Sequence, residues 1–107
     1  MPRVGGDDPS YELYGEVTTA VDGVVRNPAG SLAGSALDMA TAVRNAVQQL
    51  GLPLEEAARM AARYPAQFLN LDDRLGEIAE GYQADLVLLD DALQVRATWI
   101  AGQREDA

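Results

Sequence analysis

Seventeen acidic residues, with no histidine and no cysteine, bound the chemistry open to this 107-residue chain. Without His or Cys it lacks the commonest metal ligands and the commonest general base near neutral pH. Carboxylates alone could hold Mg²⁺ or Ca²⁺. The acids, however, come in pairs (Asp7-Asp8, Glu55-Glu56, Asp72-Asp73, Asp90-Asp91) and not as the spaced Asp/Asn ladder of a calcium loop. Neither a Gly-x-Ser-x-Gly nucleophile elbow nor a Gly-x-x-x-x-Gly-Lys-Ser/Thr phosphate loop occurs. Read alone, the residues form no catalytic constellation, and the acid pairs are expected to be solvated surface and turn residues. One run stands apart. Leu32-Ala33-Gly34-Ser35 reads as a turn of small residues, of the kind that lets a ligand approach the main chain.

Composition narrows the class. The formal net charge of −9 has the wrong sign for wrapping phosphate backbones, so no nucleic-acid partner is expected. An apolar share of 48% suffices for a packed core. No segment approaches the roughly 18 continuous apolar residues of a membrane span, and the first eight residues lack a signal peptide's apolar core. A cytoplasmic protein of one domain at most, with no membrane partner, is the expectation.

The elements around the small-residue run follow from periodicity. The first fifteen residues read as a loop. Val17, Thr19 and Val21 alternate, Asp22-Gly23 suits a two-residue hairpin turn, and Val24-Val25 starts the return strand. Asn27-Pro28-Ala29-Gly30 breaks it. Ser35 is then a plausible N-cap with Asp38 as partner, and Ala36, Met39, Ala40, Val43, Ala46, Val47 and Leu50 recur as one apolar stripe ended by Gly51 and Pro53. Arg44, Asn45, Gln48 and Gln49 fall on its wet side. A second helix starts at Pro53, with Leu54, Ala57, Ala58, Met60 and Ala61 as its buried side. Tyr64-Pro65 is expected to interrupt it, and Pro65 to open a short further turn with Phe68, Leu69 and Leu71 pointing inward. Beyond Arg74 the pattern turns to β. Leu86-Val87-Leu88-Leu89 suits a strand buried on both faces, and Val95, Ala97 and Trp99 alternate along a second strand that ends at Gly102.

Two motifs give these elements a resemblance. "RLGEIAEGYQADLVLLD" resembles the Gly-x-Ile-x-x-Gly-x-x-Ala-Asp-Leu-Val segment of many amidohydrolases. "LAGSALDM", followed by "AVRN" and "YPA", is closer to the N-acetylglucosamine-6-phosphate deacetylases within that superfamily. A dihydroorotase or an imidazolonepropionase would match the β segment but not "LAGSALDM". The resemblance runs from about residue 17 to residue 102. It implies a (β/α)₈ barrel with a small β domain, and a barrel alone takes about 250 residues. The expected fold class is therefore an α+β fragment: the last strand/helix portion of a TIM barrel plus the C-terminal strands of the small amidohydrolase β domain. Residues 1–51 would hold the end of the barrel (loop, β-hairpin, last strand and helix), and residues 52–107 a helix pair and the C-terminal β segment. Within that scheme Gly30 to Gly34 lie at the eighth barrel strand and its following loop, residues 36–50 form the last main barrel helix, and residues 76–102 return to the β domain.

The same resemblance implies metal-assisted hydrolysis of an acetamide, giving acetate and glucosamine-6-phosphate in a complete relative. Zinc or a similar divalent metal would activate the water there, and an aspartate in a Thr-Asp-Ala motif would move its proton. The metal-binding histidines and glutamate and that aspartate lie upstream of the matched region. Asp7 and Asp8 follow Gly-Gly and do not match the motif, so no catalytic residue, metal ligand or cofactor is assigned to this chain. Gln83 stands where relatives often carry Lys. What the resemblance does assign is substrate binding: Leu32, Ala33 and Gly34 correspond to a loop that lines the sugar-phosphate site through its backbone. The chain is thus expected to be inert alone and to meet substrate only when the barrel is completed, by a complementary N-terminal polypeptide or as part of a longer product. The alternative is a stand-alone non-catalytic domain that binds a partner or self-associates as a homo-oligomer through its open strand edges and bare helix face.

Overall fold

A computed structural model describes residues 10–13, 16–21, 24–30 and 32–106. The chain divides into two compact units, residues 1–38 and 39–107.

The first unit is a four-stranded antiparallel meander in the order β1-β2-β3-β4. The strands are β1 (Ser10–Leu13), β2 (Glu16–Val21), β3 (Val24–Arg26) and β4 (Leu32–Ser35). Val21 pairs with Val24, the register of the expected hairpin, while Asp22-Gly23 itself lies outside the described residues. Two expectations are corrected. Residues 10–13 are a strand paired with β2 and not loop, a pairing that only the neighbouring strand can reveal in four residues flanked by Pro and Gly. Leu32-Ala33-Gly34-Ser35 is likewise a strand, not a turn; the turn lies just before it, where the Gly30 N–H donates to the Asn27 carbonyl (2.9 Å) with Gly30 at φ +81°. Val25 is fully buried in this unit.

The second unit opens with helix α1 (Met39–Gln48). It starts later than Ser35 predicted, because the Ser35 hydroxyl accepts the Leu37 N–H (3.0 Å), a local bond that competes with helix formation. Gly51 (φ +70°) ends it, the Leu52 N–H reaching back to the Ala46 carbonyl (3.1 Å). Arg44 is not on a wet face: its Nη2 and Nε donate to the Leu93 carbonyl (3.1 and 3.3 Å), tying α1 to the turn between the first two strands of the next sheet.

The expected break at Tyr64-Pro65 does not occur. Helix α2 (Leu54–Ala58) runs without interruption through a π-helical turn (Arg59–Arg63) into α3 (Tyr64–Phe68). Proline in a helix would press on the carbonyl four residues back. The wider turn relieves that contact, with the Tyr64 N–H bonded to the Arg59 carbonyl and Tyr64 kept at helical angles (φ −66°, ψ −43°). Asn70 (φ +58°) takes the left-handed position usually given to glycine, and Leu71 N–H to Ala66 O (2.8 Å) closes the end.

The sheet that follows has the order β5-β6-β7: β5 (Leu86–Leu89), β6 (Val95–Ile100) and β7 (Gln103–Asp106). β7 is an addition to the expected pair. Ala101 (φ +51°) and Gly102 (φ +81°) form the two-residue turn, and Ile100 pairs with Gln103. Its four residues are polar and exposed, which hid it from a search for apolar alternation. On β6, Ala97 is fully buried between half-buried Val95 and Trp99, as the alternation predicts. β5 is not buried on both faces: Val87 and Leu88 are exposed. Neither do Leu54, Ala58, Met60, Phe68 and Leu69 point inward as the periodicity indicated; all are exposed, Phe68 at 86%. The buried apolar residues described are Val25 and four alanines, 46, 57, 66 and 97.

Candidate functional site

Leu32, Ala33 and Gly34 sit on β4, the end strand of the first unit's sheet. Val24 faces Ser35, Val25 faces Gly34 and Arg26 faces Leu32, so the register slips by one and Ala33 faces no residue of β3. This is a β-bulge, which frees one residue's backbone from the ladder and re-aims its neighbours. A Cβ built on Gly34 would meet nothing within 4 Å among the described residues, and Leu32 is 69% exposed. Arg26 supplies a cation beside the strand, its Nη1 donating to the Gly30 carbonyl (2.9 Å) and bracing the turn that leads into β4. The arrangement offers main-chain donors and acceptors, open space and one nearby guanidinium. Among the described residues of this strand and turn there is no side chain that moves a proton near neutral pH.

Several of the described acids have structural partners. Asp90 Oδ1 accepts the N–H groups of Gln94 (2.8 Å) and Ala92 (3.0 Å), and its Oδ2 pairs with Arg96 (2.6 Å). The Gln94 N–H first, and Arg96 with it, hold the Asp90 carboxyl below the usual range. Asp85 accepts the Ala101 N–H (2.9 Å) and the Gln83 amide (2.8 Å), which lower its pKa in that order. Gln83, the departure noted in the sequence, thus serves this local clasp. Glu56 accepts from the Tyr64 hydroxyl (2.8 Å) and from Arg59 (3.0 Å), again lowering its pKa. Asp7 and Asp8 lie outside the described residues. Among the described residues no three carboxylates, with or without other ligand types, come together as a metal site.

The loop of residues 71–85 is held by residues that sequence reasoning did not single out. The Arg63 guanidinium pairs with Glu77 (3.0 Å), and the Tyr82 hydroxyl donates to the Asp72 carbonyl. Gly76, at φ +96°, presses on the helix: a Cβ there would lie 3.1 Å from Ala66 Cβ and 3.2 Å from the Ala62 carbonyl oxygen. The glycine of "LGEI" was visible in the sequence, but its helix contact was not.

Residues 12–104 match the amidohydrolase family. The chain is 46% identical over 103 residues to an N-acetylgalactosamine-6-phosphate deacetylase of Shewanella sp. (strain ANA-3), covering 96% of this chain and 26% of the relative. It is 43% identical over 105 residues to the N-acetylglucosamine-6-phosphate deacetylase of Bos taurus, covering 96% of this chain and 25% of that protein. Among solved structures, the N-acetylglucosamine-6-phosphate deacetylase of Pasteurella multocida superposes with a TM-score of 0.81 at 34% identity, over 94% of this chain and 27% of that one. The chain spans about a quarter of the length of each of these relatives.

Proposed function

The chain belongs to the amidohydrolase family, and we propose that it is the C-terminal portion of a deacetylase acting on an N-acetylhexosamine 6-phosphate, supplying substrate wall and scaffold. The observation that carries this reading is a match over nearly the whole chain to deacetylases of two such sugars, which differ only in configuration at C4. N-acetylglucosamine-6-phosphate is the expected substrate and its galacto epimer the comparison. In this placement β4 is the eighth barrel strand, α1 the last main barrel helix, and residues 76–102 belong to the small β domain. Leu32, Ala33 and Gly34 face the sugar phosphate. The bulge at Ala33 frees main-chain groups for the ligand, and the open space at Gly34 admits it.

Amidohydrolases generally use a bound metal to activate water. The residues present here do not fit one: the chain has no histidine or cysteine, and its described acids are bound to backbone and arginine or dispersed. The hydrolytic step therefore belongs to groups outside this chain, and the 107 residues alone are expected to be inert.

The test is acetate release from both sugar phosphates, measured with the 107-residue chain and with the native gene product isolated from its source cells. Background rates for the chain, with turnover by a longer or companion-bearing native product, are the expected pair of results. A native product silent on both sugars would sink the reading.

A further inference from the structure

Helix α1 buries little that would fix its place. Its buried residue is Ala46, a single methyl whose burial contributes little to holding the helix in position. Arg44 supplies what packing does not. Its half-buried guanidinium donates from Nη2 and Nε to the Leu93 carbonyl (3.1 and 3.3 Å) and from Nη2 to Gln94 Oε1 (3.3 Å). Nη1 donates to Thr41 Oγ1 on its own helix (3.4 Å), which braces the fork. Two N–H groups of one planar fork on a single oxygen set direction as well as distance.

The oxygen so held belongs to a residue in an unusual conformation. Leu93 sits at φ +61°, a left-handed position that strains a bulky side chain. Asp90 closes the turn from within: its carbonyl accepts the Leu93 N–H (2.9 Å), and its Oδ1 accepts the Gln94 N–H (2.8 Å). Arg44 meets the same turn from outside, 49 positions away in sequence. Chain order makes this placement matter. Residues 36–38 alone lie between the end of β4, the strand given to the substrate, and the start of α1. A link of three residues passes a displacement of the helix on to the strand. We propose that Arg44 is a positioning residue for that strand: it pins α1 to the β5–β6 turn, and α1 fixes the end from which Leu32, Ala33 and Gly34 meet the ligand. This rests on the reading of the chain as part of a deacetylase, and Arg44 itself touches no substrate.

The test measures KM and kcat for both sugar phosphates in the native gene product carrying Arg44→Met, which keeps an apolar stem without the donors. KM is expected to rise about fivefold with kcat changed less than about twofold, and Arg44→Lys, with a point charge in place of the fork, to fall between. Hydrogen exchange at the Leu93 and Gln94 amides should quicken about tenfold in Arg44→Met. Adding Leu93→Gly, which takes φ +61° without strain, should restore that protection and the melting temperature while KM stays high, because the bond to α1 is still missing. A KM that recovers together with stability would make Arg44 a structural residue only and overturn the proposal. So would a KM unmoved by Arg44→Met. An unsubstituted product that turns over neither sugar would instead remove the deacetylase reading, and this role with it.

Discussion

At single positions, two residues separate substrate contact from scaffold. Gly34 on the bulged strand has room for a side chain, so Gly34→Val should change stability by no more than about 0.5 kcal/mol, while valine suits a strand. On the proposed reading, the same change in a complete deacetylase should raise KM for the sugar phosphate about tenfold with less effect on kcat, because the valine would occupy the space the proposal gives to the ligand. A loss of stability with KM unmoved would remove Leu32, Ala33 and Gly34 from the site. Asp85 works differently. Its carboxylate clasps the Ala101 N–H at the β6–β7 turn, and its pKa is depressed by that bond and by Gln83. A depressed folded-state pKa gives stability that is full above the ordinary carboxylate value near 4 and is lost as pH falls through the lower folded value. Asp90 and Glu56 share the direction, so the chain should lose stability on acidification below about pH 4. Asp85→Asn should keep an acceptor for Ala101 while flattening part of this acid loss. Asp85→Ala should speed hydrogen exchange at the Ala101 amide severalfold. An unchanged exchange rate there would show that the clasp is absent in solution.

At the scale of elements, the 54–68 helical run and the loop laid on it behave as one piece. Gly76 has a left-handed backbone and no space for a Cβ, with Ala66, Ala62 and Arg63 all within 3.2 Å. Gly76→Ala therefore combines backbone strain with overpacking and should cost about 1–3 kcal/mol in urea unfolding of the chain. A cost near zero would mean that the loop does not rest on the helix. The π turn at Arg59–Arg63 has its own consequence. It shifts the register of everything beyond it, which brings Tyr64 over Glu56, eight residues back. The inward placement of Phe68 and Leu69 rested on a separate turn opened by Pro65 after a break; the helix instead continues through the wider turn, and both residues are exposed.

For the whole molecule, the balance of buried and exposed apolar residues is the telling quantity. The described core is Val25 and four alanines, while Phe68, Ile78, Leu50, Leu32 and Ile100 are each at least 66% exposed. A chain of this length usually buries its large apolar side chains first. That inversion, with relatives about four times as long, predicts that the native product carrying these residues has an intact mass well above 11.4 kDa, or travels with a histidine-bearing companion. Mass spectrometry of the product from its source cells decides this. An 11.4 kDa product without a companion would favour the stand-alone, non-catalytic alternative.

The sequence by itself determined what depends on local rules: the 16–26 hairpin, the glycine stop of α1, the alternation of β6, and the amidohydrolase motifs. Turn chemistry, strand alternation and motif spacing are properties of neighbouring residues, so they can be read along the chain. Only the tertiary structure decided that Leu32 to Ser35 are a strand with Ala33 bulged out, that Arg44 turns inward to the Leu93 carbonyl, that Pro65 sits inside a helix, and that the polar residues Gln103 to Asp106 form a third strand. Each of these depends on a partner remote in sequence or on relief of a steric clash across a turn. A bulge exists only relative to the strand it slips against.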